Sequence, residues 1–148
     1  MKRIKTLIIT LIFSVIFIIP SHANKSVEET IKGRKAIFSK NYQTAKKISI
    51  LLKSKKIEEA KPLMKEMSDN YKKLLNYFPE NTKEGFKTEA LPTIWENSDE
   101  FVTLMQKASF DMIKLAKAID TAEDLRAIQK KLMWSNCSAC HNRFRAEH

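Results

Sequence analysis

Cys137-Ser-Ala-Cys140-His141, close to the end of the chain, is the stretch from which the fold can be worked out. The pattern C-x-x-C-H is the attachment signal of a c-type haem. On an α-helix, residues i, i+3 and i+4 share one face because a turn contains 3.6 residues. Both thiols and the imidazole then point the same way, so the thiols can form thioethers with a porphyrin while His141 reaches its iron. The spacing predicts a helix and one covalent haem c per chain.

Other kinds of site also use paired cysteines. A chance pair can form a disulfide, and a thioredoxin-like dithiol is expected near a βαβ pattern, which this sequence lacks. A structural zinc site would need a fourth ligand, and the chain contains only two cysteines. The haem interpretation is therefore favoured.

Four amphipathic segments make up the rest of the chain. Their apolar residues recur at three- and four-residue spacing, which indicates helices, and no stretch alternates like a strand. The apolar stripes run from Val27 to Leu52, from Ile57 to Leu74, from Ile94 to Ile119 and from Leu125 to Phe144, and the last of them is predicted to continue through Ser135. Four stripes of this width predict an all-α protein, an antiparallel four-helix bundle.

The ends of the segments carry signals of their own. Ser26 followed by Glu29 is a capping-box pattern for the start of the first helix, and Thr121 is predicted to cap the fourth. Short connections at 53–56 and before Thr121 predict antiparallel neighbours. The longer stretch 76–92 is expected to cross from one end of the bundle to the start of the third helix.

Residues 1–23 have the composition of a secretory signal peptide: a basic start, an apolar run at 7–19 and small residues before a cleavage site after Ala23. The apolar run is shorter than the ~20 residues that span a bilayer, so cleavage is favoured over membrane anchoring. We therefore expect residues 24–148 to form one domain in the periplasm, where c-type haem is attached, without a membrane anchor.

The chain is basic, with 27 Lys and Arg residues against 17 Asp and Glu and a formal net charge of +10. In a cytosolic protein this balance would suggest a nucleic-acid partner, but an exported protein rarely meets one, so none is expected. We expect the charges to be spread along every segment, as on an ordinary solvated surface. Steering of an acidic redox partner is a second interpretation.

Arg34 lies on the apolar face of the first segment, between Ile31 and Phe38. Burying an unpaired guanidinium is costly. Either a haem propionate pairs with the guanidinium, or the side chain reaches solvent from the rim of the stripe. The sequence leaves both explanations open.

The sixth ligand of the iron is a second open question. Beyond the signal peptide the only histidines are His141 and the terminal His148, so two histidine ligands are not expected. Methionines are available, but at helical spacing they are more often core residues, and the first helix has none. Phe38, one turn after Arg34, cannot coordinate iron.

These motifs together resemble the cytochrome c′ family, the high-spin class II cytochromes c. The resemblance lies in the runs Cys137-Ser-Ala-Cys140-His141-Asn-Arg-Phe144-Arg145, Arg34-Lys-Ala-Ile-Phe38 and Pro92-Thr-Ile-Trp95. The resemblance implies that Cys137 and Cys140 form the thioethers and that His141 is the iron ligand. It also implies that Arg34 binds a propionate, that Phe38 lies on the distal side of the haem, that Glu89 and Lys35 contact the haem, and that Arg145 packs beside the histidine. Lys35 stands where the family commonly has Gln or Glu.

The resemblance also implies five-coordinate, high-spin iron that binds nitric oxide or carbon monoxide, with a role in scavenging or electron transfer rather than enzymatic turnover. A redox partner protein and a homodimer through the first two helices are further implications. The first alternative is a low-spin electron carrier of the cytochrome c-556 type, with His and Met ligands. The second is a structural role without haem.

Overall fold

The computed structural model describes residues 26–147 and confirms the four-helix bundle. Its helices are α1 (Val27–Lys53), α2 (Ile57–Leu74), α3 (Thr93–Glu96), α4 (Ser98–Ala118), α5 (Leu125–Gln129) and α6 (Ser135–Phe144). A π-helical turn at Lys130–Trp134 joins α5 to α6 without a break, so residues 125–144 form the fourth long helix. The signal peptide predicted at 1–23, with its cleavage site, lies outside the described residues.

The direction of α4 shows where the long connection runs. The hydroxyls of Ser68 and Ser109 lie 2.9 Å apart, and Lys61 forms an ion pair of 2.7 Å with Asp120. Residue numbers therefore rise along α2 while they fall along α4, which makes these neighbours antiparallel. The connection 75–97 begins and ends at the same end of the bundle, so the expectation that it crosses from one end was wrong.

Two short 3₁₀ turns, Leu75–Tyr77 and Glu80–Thr82, begin this connection. The first packs tightly on α1 because Gly33 has no side chain: a Cβ there would lie 2.5 Å from Cε1 of Tyr77. Further on, Gly85 has a φ of 88°, a left-handed conformation that glycine adopts without steric cost. The connection is thus folded onto the end of the bundle.

The capping box of α1 is confirmed. The Glu29 N–H donates to Ser26 Oγ (3.1 Å), and the Ser26 N–H donates to Glu29 Oε2 (2.9 Å). The cap predicted at Thr121 was wrong: Asp124 caps α5, because its Oδ1 accepts the N–H groups of Arg126 and Ala127, both at 2.9 Å. Those two donors would otherwise lack a partner in the helix.

The predicted third helix is broken at Asn97, which separates α3 from α4. The fourth helix contains a larger departure, the π-helical turn, in which the Ser135 N–H donates to the Lys130 carbonyl five residues back. The extra residue rotates all that follows by roughly 100° relative to a regular α-helix. As a result Ser135, predicted to face the core, is exposed, and Asn136 is buried instead.

The described helices share one apolar core, and its fully buried side chains include Ile48, Met64, Leu74, Met112 and Leu115. Burial of such side chains contributes about 1.5–3 kcal/mol each. No helix within residues 26–147 has the length and apolarity that crossing a membrane requires.

Candidate haem site

A cavity of about 760 Å³ lies between α1, α2, α4, α6 and the long connection. Its volume is within the range of roughly 300–1,000 Å³ found for small-molecule and cofactor sites. All of the site residues proposed from the sequence line it: Arg34, Lys35, Phe38, Glu89, Cys137, Cys140, His141 and Arg145. The structure thus brings together side chains from three separate parts of the chain, and the individual roles of these residues stay predictions.

Cys137 and Cys140 are half-buried, unpaired thiols on the face of α6 that lines the cavity. Cys137 Sγ donates to the carbonyl of Met133 (3.6 Å). Burial raises the pKa of Cys137, and burial together with the neighbouring Cys137 raises the pKa of Cys140 to about 11. Both thiols are neutral at pH 7, whereas a redox dithiol depends on a thiolate with a lowered pKa. The redox-dithiol alternative is therefore disfavoured.

Residues 26–147 contain no group of three or more His, Cys, Asp or Glu side chains placed to hold a metal ion. This arrangement gives no support to the zinc-site alternative, which needs several protein ligands. A haem iron needs far less from the chain, since the porphyrin supplies four nitrogen ligands and one imidazole is enough.

Several aromatic residues of the cavity, Tyr71 and Trp134 among them, were not recognised as site residues in the sequence. Tyr71 of α2 places its hydroxyl 4.0 Å from Cys137 Sγ, and burial raises its pKa. Trp134 precedes Cys137 by three residues, a spacing that puts both on one face and could have identified it. Tyr71 carried no such signal, because its proximity to α6 depends on how the helices pack.

Arg34 is buried, with an exposed fraction of only 2%, so the idea that it reaches solvent was wrong. Its Nη1 donates to the Tyr77 carbonyl (3.2 Å) and to Thr82 Oγ1 (2.9 Å). Its Nη2 donates to the Thr82 carbonyl (2.8 Å) and to Thr88 Oγ1 (2.6 Å). The long connection therefore supplies the partners, and the burial of Arg34 requires no propionate.

The guanidinium of Arg34 also lies against two aromatic rings, 4.8 Å from the centroid of Phe78 and 5.8 Å from that of Trp95. Contact with a ring face favours a cation. Burial lowers the pKa of Arg34 to about 10, which still leaves it charged at neutral pH. Arg34 thus holds the connection against α1 as a buried cation.

The other polar residues proposed for the site are held by the same connection. Arg145 Nε donates to Glu89 Oε2 (2.8 Å). A backbone bridge joins the same segments, because the Ala146 N–H donates to the Glu89 carbonyl (2.9 Å). Lys35 Nζ donates to the Lys87 carbonyl (2.9 Å). Glu89 and Arg145 thus pair with each other across the wall of the cavity.

Phe38 lines the cavity from α1, half-buried, with its ring centroid 6.4 Å from that of Phe78 in an edge-to-face arrangement. Two methionines, Met67 of α2 and Met105 of α4, line the same cavity and are buried in the core. Apolar side chains therefore reach the cavity from three helices, while His141 reaches it from α6.

A polar cluster around the buried side chains of Asp111 and Asn136 holds α6 against α4. Asn136 Nδ2 donates to Asp111 Oδ2 (3.0 Å) and to the Leu132 carbonyl (2.9 Å). Lys107 Nζ donates to Asp111 Oδ2 (2.5 Å) and to Asn136 Oδ1 (2.9 Å). Burial alone would raise the pKa of Asp111, but the hydrogen bonds from Lys107 and Asn136 outweigh it and hold that pKa below its usual value. Because Asn136 directly precedes Cys137, the cluster fixes the position of α6 along α4 at the start of the cysteine motif.

We expect Asp111→Ala to lower the free energy of unfolding by about 1–3 kcal/mol, because it leaves one of the two N–H groups of the buried Asn136 amide without its acceptor. Asp69→Ala is the matched control, since Asp69 accepts from Lys65 with the same four-residue spacing but is exposed. Urea unfolding measures both. Because the pKa of Asp111 is lowered on folding, its contribution should disappear as the pH falls through that lowered value. Equal losses for both variants would contradict a structural role for the cluster.

Comparison with known proteins places the chain in a family. A model of the family described as cytochrome C′ matches residues 29–145. A cytochrome c′ of Rhodopseudomonas palustris is 32% identical over 122 residues, which are 80% of this chain and 83% of the relative. A cytochrome c-556 of Agrobacterium tumefaciens is 27% identical over 88 residues, which are 60% of this chain and 70% of the relative.

Comparison with solved structures points to the same family. The structure of cytochrome c′ from Rhodopseudomonas palustris superposes with a TM-score of 0.69 at 30% identity, covering 80% of this chain and 97% of that one. The structure of a ferrous variant of the Alcaligenes xylosoxidans cytochrome, with bound nitric oxide, gives a TM-score of 0.71 at 19% identity, covering 84% and 99%, and shows a shared fold. With the family model spanning most of its length and a cavity that contains both thiols and His141, this chain belongs to the cytochrome c′ family of c-type haem proteins.

Proposed function

We propose that this protein is a periplasmic cytochrome with one haem, whose five-coordinate, high-spin iron binds nitric oxide or carbon monoxide, and that it takes part in gas scavenging or electron transfer rather than enzymatic turnover. The observation that carries the proposal is the lining of the cavity: one imidazole from α6, and a phenyl ring from α1 at the position that the resemblance assigns to the distal side.

The cavity residues fit a haem. Two neutral thiols and the imidazole of His141 lie on one helix face, at the wall of a cavity lined largely by apolar side chains. Cys137 and Cys140 would hold the porphyrin through thioethers, and His141 would be the protein ligand of the iron. When bound, the haem supplies an iron atom that can accept a diatomic gas.

Phe38 favours a small neutral ligand. Its ring excludes water and bulky groups from its side of the cavity, and it has no atom that can coordinate iron. An anion entering beside such a ring would lose its hydration without gaining a hydrogen bond from it. The nitric oxide bound to the Alcaligenes xylosoxidans cytochrome supports the same class of ligand here.

The visible spectrum of the dithionite-reduced protein tests the proposal. We expect the broad bands of a five-coordinate ferrous haem, because His141 is the only protein ligand proposed. Phe38→Ala should increase the rate constant for carbon monoxide association, since it removes the ring that restricts access. Phe38→Met should create a sixth ligand and sharpen the spectrum. Sharp, split α and β bands in the wild type would rule out five-coordinate iron.

The second candidate is a low-spin electron carrier with His and Met ligands. Met67 and Met105 line the cavity, and a cytochrome c-556 is among the relatives. If the wild-type spectrum is six-coordinate, Met67→Leu and Met105→Leu identify the ligand: the variant that loses the sharp bands has lost the coordinating sulfur. Unchanged spectra in both variants would exclude these two methionines.

A further inference from the structure

Charge is distributed unevenly over the bundle. Residues 30–56 contain nine Lys or Arg residues and no Asp or Glu, and residues 125–146 contain five and none. The intervening residues 57–124 contain fourteen Asp or Glu residues against nine Lys. The expectation that charges are spread along every segment was wrong, because two segments lack acidic residues altogether.

The fold places these two acid-free segments side by side. The rings of Tyr42 on α1 and Trp134 on the fourth helix are 6.4 Å apart, and Gln129 Nε2 donates to Ser49 Oγ (2.5 Å). We call the joint exposed surface of residues 30–56 and 125–146 the basic face. Most acidic residues lie on α2, α4 and the connections, so the molecule has one positive side.

Most cations of the basic face are not neutralised within the protein. Lys32, Lys40, Lys56, Arg143 and Arg145 form ion pairs, and Arg34 is buried. The others are exposed and have no carboxylate partner among residues 26–147: Lys35, Lys46, Lys47, Lys53, Lys55, Arg126, Lys130 and Lys131. Such a surface attracts anions over a Debye length, about 8 Å at physiological salt.

The cavity opens on this face. The exposed residues among those that line it are Lys35, Ser39 and Tyr42 of α1 together with Ser138 and His141 of α6. The walls formed by α2 and α4 contribute no exposed residue to the lining. A molecule that covers the basic face therefore also covers the mouth of the cavity.

We propose that the basic face is the docking surface for an acidic electron-carrier protein, the class of partner that the electron-transfer part of the proposed function needs. Complementary charge steers such a partner to the face, can raise the association rate constant by roughly 10–10³-fold at low salt, and places it over the cavity. The inference rests on the proposed function, because a partner gains from this position only if the cavity holds the haem.

Two other occupants fit the face less well. In a symmetric dimer with α1 against α1, each acid-free surface would meet its own copy, and lysines would face lysines. A membrane-bound helix buries an apolar face in the lipid, whereas the apolar face of α1 lies in the core. Only Tyr42 and Ile50 are large, exposed apolar residues on α1, at 55% and 64% exposure.

Cross-linking tests the proposal on the haem-loaded protein. Flavodoxin serves as an acidic electron-carrier probe, and a water-soluble carbodiimide joins lysines to contacting carboxylates. We expect mass spectrometry to find the cross-links at Lys35, Lys46, Lys130 and Lys131, and none at Lys73 or Lys117, which lie on α2 and α4. Cross-links spread evenly over all exposed lysines would overturn the proposal.

Stopped-flow measurement adds a kinetic test. Lys46→Glu/Lys130→Glu should lower the association rate constant with reduced flavodoxin by roughly tenfold at low salt, and the difference should shrink at high salt. Lys73→Glu/Lys117→Glu changes the net charge equally and should have an effect of less than about twofold. Equal slowing by both pairs would mean that only net charge matters, which would overturn a localised docking surface.

A membrane and a second copy of the chain, the two other occupants of the basic face, would each give a different result. Binding to phosphatidylglycerol vesicles that only Lys46→Glu/Lys130→Glu abolishes would replace the protein partner with a membrane. A stable dimer in analytical ultracentrifugation that protects Lys46 from acetylation would assign the face to a second copy. A six-coordinate spectrum with cross-links confined to the basic face would overturn the proposed coordination and leave the docking surface standing.

Discussion

We expect protein purified from the periplasm to keep its haem through denaturing electrophoresis, and Cys137→Ala/Cys140→Ala to retain none. A thioether survives unfolding, whereas a haem held only by packing and by His141 is released when the cavity opens. Because both thiols line one cavity with His141, each is placed to form one bond. The measurement is a peroxidase stain for haem on the gel, with an immunoblot to show that equal amounts of each chain are present.

Ser138→Ala is the matched control, because Ser138 is exposed and lies between the two cysteines on the same helix. It should keep the stain at wild-type intensity. Each single Cys→Ala variant should keep one thioether and therefore a weaker but detectable stain. Loss of the stain from the wild-type protein would refute covalent attachment, and its absence before denaturation as well would favour the structural role without haem.

The second large effect is expected at Arg34. Arg34→Ala removes four hydrogen bonds from a charged group, two of which are accepted by the carbonyl oxygens of Tyr77 and Thr82. A lost hydrogen bond to a charged group costs about 1.5–3 kcal/mol, and the losses are not additive. We therefore expect the free energy of unfolding to fall by ~3 kcal/mol or more, measured by guanidinium unfolding. The surface control Lys40→Ala, which breaks one exposed ion pair with Glu66, should cost ~0–1 kcal/mol.

The same measurement separates two roles for Arg34. In the haem-free background Cys137→Ala/Cys140→Ala, the loss caused by Arg34→Ala should persist if the partners are Tyr77, Thr82 and Thr88. A loss that occurs only in the haem-loaded protein would point to a propionate as the main partner. Arg34→Lys keeps the charge but offers one donor group instead of a planar fork, so it should recover only part of the stability.

Much of the candidate site could be read from the sequence, since its parts are local patterns. The three residues of the C-x-x-C-H motif share a helix face because of helical geometry alone, and the capping box at Ser26 and Glu29 depends on residues three apart. The four stripes of apolar residues likewise needed no knowledge of their neighbours. These features depend on backbone periodicity, which each segment has by itself.

The predictions that were wrong depend on interactions that a local sequence pattern does not contain. The π-helical turn at Lys130–Trp134 adds one residue, and this shifts the helix face of the motif relative to Leu125 and Ile128, which precede the turn. A regular α-helix would have continued that stripe through Ser135, as the sequence predicted. The cap was misplaced at Thr121 for a related reason, since several residues can cap a helix and the geometry of the turn selects Asp124.

The sequence by itself determined an all-α bundle, the helix face that holds both thiols and His141, and the membership of Arg34 and Phe38 in one apolar stripe. It could do so because each of these three features depends on residues within a few turns of one another. Tertiary structure decided which groups Arg34 meets, that Glu89 pairs with Arg145, and that the two acid-free segments lie together around the mouth of the cavity. These outcomes depend on which side of each helix packs against which neighbour, and that choice is made by the shared core of all four helices together.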